Sequence, residues 1–359
     1  MIKKNVLTPH VFFTRETYFG KGTLSVIKNI DANKFLILVS KTIKDSEEYQ
    51  KVERHLEGKE YVEEIIPACT EQVILSIKDK YKDYNPDVVI GVGGGKVIDA
   101  AKVVKYFLEN LDKNFADLQG AYYNDNIKIK MVAVPTTPAT GSETTYVAVV
   151  KNDEKLKIPY VNKSFLPDMA ILDHAFLLNI AENLLIQLTA DIFAHGYEGY
   201  FSKLSNPITK NLAIDCINLL KEGVKGYKAN KTDKKSLEKI SIAGYLGGIV
   251  AGNSFVGACH ALAHSAESKI NLIHSQFILN LLKPCITWHE EKSKSEDYDI
   301  FLTNYDVIGY DSYVESGIFE SLDSEWWANV ALQDPSVKTN SVRMKLDSML
   351  ELVNWIKTK

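Results

Sequence analysis

Cysteine is scarce in this sequence of 359 residues, and its four copies stand far apart, at Cys69, Cys216, Cys259 and Cys285. No CxxC pair occurs, which argues against a thiolate metal site, and the wide spacing does not suggest a disulfide framework. We therefore expect reduced thiols and a cytoplasmic location.

Long apolar runs and an excess of positive charge are also lacking. The longest apolar runs, such as Phe35 to Val39, are far too short to span a bilayer. The first residues have a basic start without the apolar core or cleavage site of a signal peptide. The formal net charge is −4. Nucleic acid and membrane are not expected as partners, because either would favour a basic patch.

The length and the 45% hydrophobic content are those of a globular protein with room for two domains. Up to about residue 175, short β-rich runs alternate with helical patterns, which is typical of a mostly parallel sheet with covered faces. The strand candidates are Phe35 to Val39, Asp87 to Gly91 and Met131 to Val134.

Beyond residue 178 the strand signal fades. Asn206 to Lys225 and Ser236 to Val250 have apolar residues at the three- and four-residue spacing of amphipathic helices. We predict an α/β domain over residues 1–177 and an all-α domain over residues 178–359. Residues 290–325 lack a clear period and are expected to form a loop-rich insert or edge.

A glycine-rich segment, GVGGGKVIDAAK from Gly91 to Lys102, follows the second strand candidate and opens a helix. Glycines allow a ligand to approach the backbone, and the free N–H groups of a helix start suit a pyrophosphate. A second segment, PTTPATGSETT from Pro135 to Thr145, offers hydroxyl groups after the third strand. Each segment alone could be a plain turn, and neither is the GxGxxG fingerprint. Together they favour a dinucleotide crevice.

A third pattern joins aspartate and histidine at helical spacing. Asp191 and His195 share one helix face, and His260, His264 and His274 follow downstream. One carboxylate with three neutral imidazoles suits Fe²⁺ or Zn²⁺ and leaves a position for a substrate oxygen. A single histidine of this kind is more often a hydrogen-bonded core residue. Glu198, on the face of His195, could orient an imidazole or lie on the helix surface.

At this point the sequence resembles the iron-containing (group III) alcohol dehydrogenases, along nearly the whole chain. The resemblance implies an α/β domain that binds NAD(P) and a helical metal domain, in a dehydroquinate synthase-like architecture, with catalysis in the cleft between them. It also implies a homodimer or a larger homo-oligomer. The motifs that carry it are GGGKVIDAAK (93–102), PTTPATGSE (135–143), LPDMAILD (166–173), TADIFAHGYEGY (189–200), GNSFVGACHALAH (252–264) and ALQDPSVKTN (331–340).

The resemblance assigns roles residue by residue. It implies metal ligation by Asp191, His195, His260 and His274, and a catalytic role for His264, a non-ligand histidine that we interpret as a proton relay. The substrate implied is a primary alcohol or polyol, or the matching aldehyde or ketone. The cofactor-binding positions are Gly94, Gly95, Lys96 and Asp99 in the glycine segment, Thr136, Thr137 and Thr140 in the second segment, and Ser40 and Lys157.

Some positions depart from the family pattern. Ser265, Ala266 and Glu267 replace the usual Pro-Leu-Gly, Ser275 replaces a glycine, and Lys96 stands where serine is usual. Ser40 and Lys41 follow the first strand candidate where NAD-preferring members have aspartate, which favours NADP and leaves NAD open. Two alternatives also stay open: a lyase of the dehydroquinate synthase type, which returns its NAD unchanged, and a non-catalytic binding protein.

Overall fold

The computed structural model describes residues 11–118, 128–154 and 156–358. The N-terminal residues considered for a signal peptide lie mostly outside these ranges. The chain divides into two compact units, one from Phe13 to Asn179 and the other from Ile180 onward together with Val11 and Phe12. Each unit is built around its own type of secondary structure.

The first unit contains a six-stranded sheet in the order β1-β8-β5-β4-β2-β3, in which every neighbouring pair is parallel. The predicted parallel sheet is therefore confirmed. A separate antiparallel pair, β6 and β7, completes the strands. Their bounds are β1 Glu16–Phe19, β2 Lys34–Ser40, β3 Glu60–Ile66, β4 Val88–Gly93, β5 Lys130–Pro135, β6 Val147–Lys151, β7 Lys157–Val161 and β8 Met169–Leu172.

Apolar side chains cover both faces of this sheet. On β2, Leu36 and Leu38 join one buried cluster, while Phe35, Ile37 and Val39 join the other. A strand that is buried on both faces needs a continuous apolar run, and such runs made β2, β4 and β5 recognisable in the sequence. The helices of this unit are α1 Glu47–His55, α2 Glu71–Tyr81, α3 Gly95–Glu109 and α4 Phe115–Leu118.

The strand order reverses between β2 and β4. From β2 the chain continues to β3 on one side, and β4 lies on the other side of β2. In open parallel sheets a ligand crevice forms beyond the carboxyl ends of the strands at such a reversal. Ser40 ends β2 and Gly93 ends β4, so both lie at this edge.

In the described residues of the second unit, all regular secondary structure is helical. Asn206 begins α6 with a reciprocal capping box, and Asp233 caps α7. The predicted helical half is confirmed by this architecture. Its helices are α5 Glu182–Phe201, α6 Pro207–Ala229, α7 Lys234–Ser254, α8 Ala258–Ala266, α9 His274–Ser293, α10 Asp297–Ile308, α11 Ser324–Leu332 and α12 Leu346–Lys357.

Among the described residues, none of the helices taken singly has the length and apolar character needed to cross a membrane. The pair α7 and α8, bent by 99° at its break, meets that test of length and composition when the two are taken together.

The expectation of a loop-rich insert over residues 290–325 is wrong for its first half. Helix α9 runs to Ser293, and α10 follows from Asp297 to Ile308. The buried residues of α10 include Tyr298, Phe301 and Tyr305, spaced three and four residues apart. A helical period was therefore present, but aromatic residues carried it between acidic and amide side chains. From Tyr310 to Asp323 the chain is built of short turns and one 3₁₀ segment.

Candidate functional site

One face of α5 carries three buried acid-base groups. Asp191, His195 and Glu198 lie at positions i, i+4 and i+7, and each residue is at most 7% exposed. Burying ionisable groups side by side is costly unless they pair with one another or with a metal. This face of α5 is therefore where chemistry is expected in the helical unit.

A sharp turn between α7 and α8 brings two further histidines to this face. Phe255 has φ 61° and ψ 171°, a backbone conformation that side chains disfavour by about 1–3 kcal/mol. At Gly257, a Cβ would lie 2.6 Å from Asn340 Oδ1 and 2.9 Å from Glu198 Oε1. The turn therefore requires glycine at this position.

The start of α8 is capped by side chains from distant parts of the chain. The Ala258 N–H donates to Asn340 Oδ1 (3.0 Å), and the Cys259 N–H donates to Glu198 Oε1 (2.7 Å). These two N–H groups have no partner within the helix, so Asn340 and Glu198 take the place of a local cap. The two contacts fix the position of α8, which carries His260 and His264 one turn apart.

Three imidazole nitrogens converge on a single carboxylate oxygen, Asp191 Oδ1. The distances to it are 3.3 Å from His260 Nε2, 3.6 Å from His274 Nε2 and 3.7 Å from His195 Nε2. One ligand atom from each of Asp191, His195 and His260 lies within 4.8 Å of the other two. His274, the first residue of α9, comes from a third helix.

A divalent ion fits this donor set. Asp191 Oδ1 and His260 Nε2 are buried and have no hydrogen-bond partner within the described chain. Ligand atoms held about 2.0–2.1 Å from one tetrahedral ion lie about 3.3–3.4 Å apart, which is close to the distances found here. A carboxylate oxygen with three imidazole nitrogens is also a set that Fe²⁺ and Zn²⁺ accept.

The other ring nitrogens of these histidines are held by carboxylates. His260 Nδ1 lies 2.5 Å from Glu198 Oε2, and His274 Nδ1 lies 2.5 Å from Glu267 Oε1. A carboxylate at Nδ1 fixes the tautomer, so that Nε2 presents its lone pair, and it makes the ring a stronger donor. His195 differs, because its Nδ1 has no hydrogen-bond partner in the described chain.

The carboxylates beside His260 create a strongly negative field around its ring. Burial acts to lower the pKa of His260, but the charges of Glu198 and Asp191 outweigh it and raise the pKa to about 10. For His195, burial dominates and lowers the pKa to about 4. The field that favours a proton on His260 also attracts a divalent cation, which competes for the same nitrogen.

His264 lies beside this group and is more exposed. Its ring centroid is 5.1 Å from that of His274 and 6.0 Å from that of His260. Its Nδ1 lies 2.7 Å from Asp334 Oδ2, and 34% of the side chain is exposed. Burial acts to raise the pKa of Asp334, yet the His264 hydrogen bond and charge outweigh it and lower the pKa to about 2. With Nδ1 engaged, Nε2 of His264 is the nitrogen left to exchange protons.

In the α/β unit, the two glycine and threonine segments lie side by side. They follow β4 and β5, which are paired with Gly93 opposite Pro135, and the Thr136 N–H donates to Gly93 O (3.0 Å). A Cβ on Gly95 would lie 2.5 Å from Thr140 Oγ1. The absence of a side chain at Gly95 is what allows this approach.

Helix α3 begins at this edge with an open N-terminus. Gly94 is its N-cap and provides no side-chain cap, and the first turn has no acidic residue. Free N–H groups and the positive end of the helix dipole are therefore available to an anion. Lys96 lies in the same turn and adds positive charge.

Asp99, one of the predicted cofactor residues, has a carboxylate that is already engaged. Its Oδ2 accepts from the Val149 N–H (3.0 Å), and its Oδ1 accepts from Ser142 and lies 3.4 Å from Lys102 Nζ. Lys102 is fully buried and also donates to Ser142 Oγ (2.8 Å). Asp99 therefore stabilises the fold of the second segment from within.

The remaining predicted cofactor residues lie in two places: at the carboxyl edge of the parallel sheet and in the small antiparallel sheet. Thr136 is buried beside β5, while Thr137 is half-buried and Thr140 exposed. Ser40 ends β2 at the same edge, with its Oγ 3.1 Å from Thr42 Oγ1. Lys157 is elsewhere, at the start of β7 and paired with Lys151 in the small sheet.

Sequence reasoning did not identify the carboxylates of Asp334 and Glu267 or the amide of Asn340 as part of the site. Asp334 and Asn340 lie within the family motif ALQDPSVKTN, so the resemblance flagged the segment without giving their contacts. Asp334 is 70 residues from His264, and Asn340 is 82 residues from Ala258. No local spacing rule relates residues that far apart.

Known alcohol dehydrogenases are similar to this chain in sequence and in fold. The NADPH-dependent butanol dehydrogenase of Clostridium saccharobutylicum is 28% identical over 268 residues, covering 72% of this chain and 69% of that protein. The bifunctional aldehyde-alcohol dehydrogenase of Escherichia coli is 32% identical over 214 residues, and this chain spans only 24% of its length. The iron-containing alcohol dehydrogenase of Thermococcus thioreducens has the same fold, with a TM-score of 0.84, 22% identity and coverage of 97% of this chain and 100% of its own.

Two family models match consecutive parts of the sequence. "Iron-containing alcohol dehydrogenase" matches residues 14–174, and "Fe-containing alcohol dehydrogenase family, C-terminal" matches residues 186–304. Together they account for more than three quarters of the 359 residues, in chain order. The chain therefore belongs to the iron-containing alcohol dehydrogenase family.

Proposed function

We propose that this chain is a metal-dependent, NAD(P)-linked oxidoreductase that interconverts a primary alcohol or polyol with the matching aldehyde or ketone. The observation that carries the proposal is the convergence of three imidazole nitrogens on Asp191 Oδ1 at 3.3–3.7 Å. In the proposed reaction the alcohol carbon gives a hydride to the nicotinamide and the hydroxyl gives up a proton. The reverse reaction reduces the carbonyl compound.

Asp191, His195, His260 and His274 are the proposed ligands of one Fe²⁺ or Zn²⁺ ion. When bound, such an ion supplies Lewis-acid stabilisation of the negative charge that develops on the substrate oxygen. Glu198 is proposed to hold His260 in its ligand tautomer and, through the Cys259 N–H, to hold the start of α8 as well.

His264 is the proposed proton relay. Its Nδ1 is engaged by Asp334, so Nε2 accepts the proton that leaves the hydroxyl, and its exposed fraction of 34% gives the proton a route to solvent. General acid-base groups of this kind contribute about 10²–10⁴-fold to rate. His264→Ala should lower turnover by about a hundredfold and leave metal content unchanged. Equal loss of both would make the residue structural.

Gly94, Gly95, Lys96 and the threonines of the second segment are the proposed cofactor site, with the α3 N-terminus facing the pyrophosphate. Ser40 and Lys41 leave room and positive charge for a 2′-phosphate, so NADP is the proposed preference. The test is the ratio of kcat/KM for NADP and NAD, in the native chain and in Ser40→Asp. A native preference for NAD, unchanged in Ser40→Asp, would contradict this assignment.

The reaction itself is tested by net NAD(P)⁺ reduction against a panel of primary alcohols and polyols. Protein stripped with a chelator is compared with protein reloaded with Fe²⁺ or Zn²⁺. We expect activity only after reloading. A lyase would consume its substrate with no net change in NAD(P)H, and a binding protein would be inert after reloading, so either result would reject the proposal.

A homodimer or larger homo-oligomer and a cytoplasmic location are proposed as well. The four cysteines are all free and buried, which suits a reducing compartment. Light scattering coupled to size exclusion, and fractionation of the source cells, test these two proposals directly.

A further inference from the structure

Glu267 is the C-cap residue of α8, and it stands where the family resemblance leads one to expect glycine. Its Oε1 lies 2.5 Å from Nδ1 of His274, a distance typical of a charge-assisted hydrogen bond. The carboxylate is 13% exposed, so water screens the contact only partly. A residue that departs from the family pattern therefore touches a proposed metal ligand.

The contact decides which nitrogen His274 presents to the metal site. His274 Nδ1 is occupied by Glu267, while His274 Nε2 lies 3.6 Å from Asp191 Oδ1. Nδ1–H donates to the carboxylate, so Nε2 carries the free lone pair. The Glu267 side chain thereby sets both the tautomer and the orientation of this ring.

His274 depends on such support more than the other proposed ligands do. Its side chain is 25% exposed, against 8% for His195 and 4% for His260. It is also the first residue of α9, with intrahelical neighbours on one side only. The ring of His195 is buried and its Nδ1 has no hydrogen-bond partner in the described chain, whereas the more exposed ring of His274 is hydrogen-bonded to Glu267.

We propose that Glu267 is a positioning residue that fixes His274 as a metal ligand, and that its negative charge tightens the binding of the divalent ion. This inference rests on the metal site of the proposed function. The charge acts because a carboxylate at Nδ1 makes Nε2 a stronger donor and adds attraction for a cation in a partly dry site. Residues that orient ligands in this way contribute about 10–100-fold to metal affinity.

The test measures Zn²⁺ affinity by competition with a chromogenic chelator, using metal-free full-length protein. Glu267→Gln keeps an oxygen acceptor for His274 and removes the charge, and Glu267→Ala removes both. We expect the Kd for Zn²⁺ to rise about tenfold in Glu267→Gln and towards a hundredfold in Glu267→Ala. The visible spectrum of the Co²⁺-loaded protein should change in both variants, because the ligand field at His274 changes.

Asp297→Asn is the matched control. Asp297 accepts a hydrogen bond from the Tyr200 hydroxyl (3.1 Å) in the same helical unit, and it is not hydrogen-bonded to a proposed ligand. Its Kd and Co²⁺ spectrum should equal those of the native chain. A Glu267→Gln protein whose Kd stays within twofold of native and whose Co²⁺ spectrum is unchanged would overturn the inference.

The native chain separates this inference from the proposed function. If the native chain binds about one Zn²⁺ tightly and the Glu267 variants bind it equally well, only the role of Glu267 is rejected. If the native chain itself binds no metal, the metal site of the proposed function is rejected, and the inference with it.

Discussion

The candidate metal site and the glycine loop (Gly91 to Lys102) are built on opposite principles. The first is made of side chains: Asp191 and three imidazoles from three helices, two of which have a carboxylate at the outer nitrogen. The second is made of missing side chains, since Gly95 must have none to let Thr140 approach and leaves backbone N–H groups uncovered. The first region is suited to a cation by its concentrated charge, and the second is suited to an anion by its exposed backbone N–H groups.

The two principles differ in what a mutation does. Removing a side chain from the charged cluster leaves the remaining buried charges uncompensated, so both function and stability suffer. Adding a side chain to the glycine loop obstructs a ligand and disturbs one neighbour.

His260→Ala should have the largest effect. It removes a proposed ligand and leaves Glu198 and Asp191 facing each other without the intervening ring. Activity should fall by more than about a thousandfold, since removing even a single charge-stabilising hydrogen bond costs about 10²–10³-fold. Bound metal, measured by mass spectrometry, should fall well below the native stoichiometry. Native metal content together with native activity would show that His260 is not a metal ligand.

Lys102→Met tests whether the buried charge of Lys102 stabilises the fold without a role in ligand binding. Burial lowers the pKa of Lys102, while Asp99 opposes that shift, and its ammonium group is held by Ser142, Thr145 and Val147 O. The substitution leaves Asp99 without its cation, which should reduce the free energy of unfolding by about 3–5 kcal/mol. Urea denaturation at pH 7 measures this loss. A change below about 1 kcal/mol, within the range of exposed ion pairs, would mean that the carboxylate is already satisfied by Ser142 and Val149.

The buried carboxyl of Glu143 should make the stability of the same unit depend on pH. Burial raises the pKa of this carboxyl to about 7 from an ordinary value of 4.5. The unfolded chain releases the proton near pH 4.5 and the folded chain near pH 7, so stability falls as pH rises through that window. Above pH 7 the penalty reaches about 3 kcal/mol, at about 1.36 kcal/mol for each pKa unit.

Glu143→Gln should therefore be more stable than the native chain at pH 8 by about that amount, and equal to it at pH 4.5. Urea unfolding at the two pH values provides the measurement. Glu57→Gln, at an exposed position of the same unit, is the control and should leave the profile unchanged. A Glu143→Gln protein with the same pH slope as the native chain would rule out this carboxyl as the source.

Gly95→Ala should have the smallest effect on the molecule and a selective one on function. The added Cβ would lie 2.5 Å from Thr140 Oγ1, so the second segment must shift. We expect NADP binding, followed by fluorescence, to weaken about tenfold, or about 1.4 kcal/mol. Metal stoichiometry should stay native, because the proposed metal ligands lie in the other unit. Loss of metal in this variant would show that a change in the glycine loop also disturbs the candidate metal site.

The two regions also differ in how far the sequence could predict them. The glycine loop lies in one continuous segment between a strand and a helix, so local rules place it at the carboxyl edge of β4. The apolar runs of β2, β4 and β5 were equally readable, because strands buried on both faces need them. The spacing of Asp191 and His195 placed both on one face of α5 for the same local reason.

The features of the site that local sequence patterns did not predict depend on contacts between residues that are far apart in the sequence. Nothing near His264 or Ala258 in the sequence points to Asp334 or Asn340, and Glu267 looked only like a departure from a pattern. The helix α10 was missed because aromatic residues carried its period among acidic ones. Asp99 was predicted from its place in a motif, and only the fold brings Ser142 and Val149 to its carboxylate.

Asp191, His195, His260 and His274 are proposed to hold one divalent ion. X-ray absorption at the metal edge of Fe- or Zn-loaded protein tests it most directly, because imidazole rings and sulfur ligands give distinct scattering. We expect a first shell of nitrogen and oxygen at about 2.0–2.2 Å with the outer-shell signal of about three imidazoles. A shell containing sulfur, or one without imidazole scattering, would contradict the account.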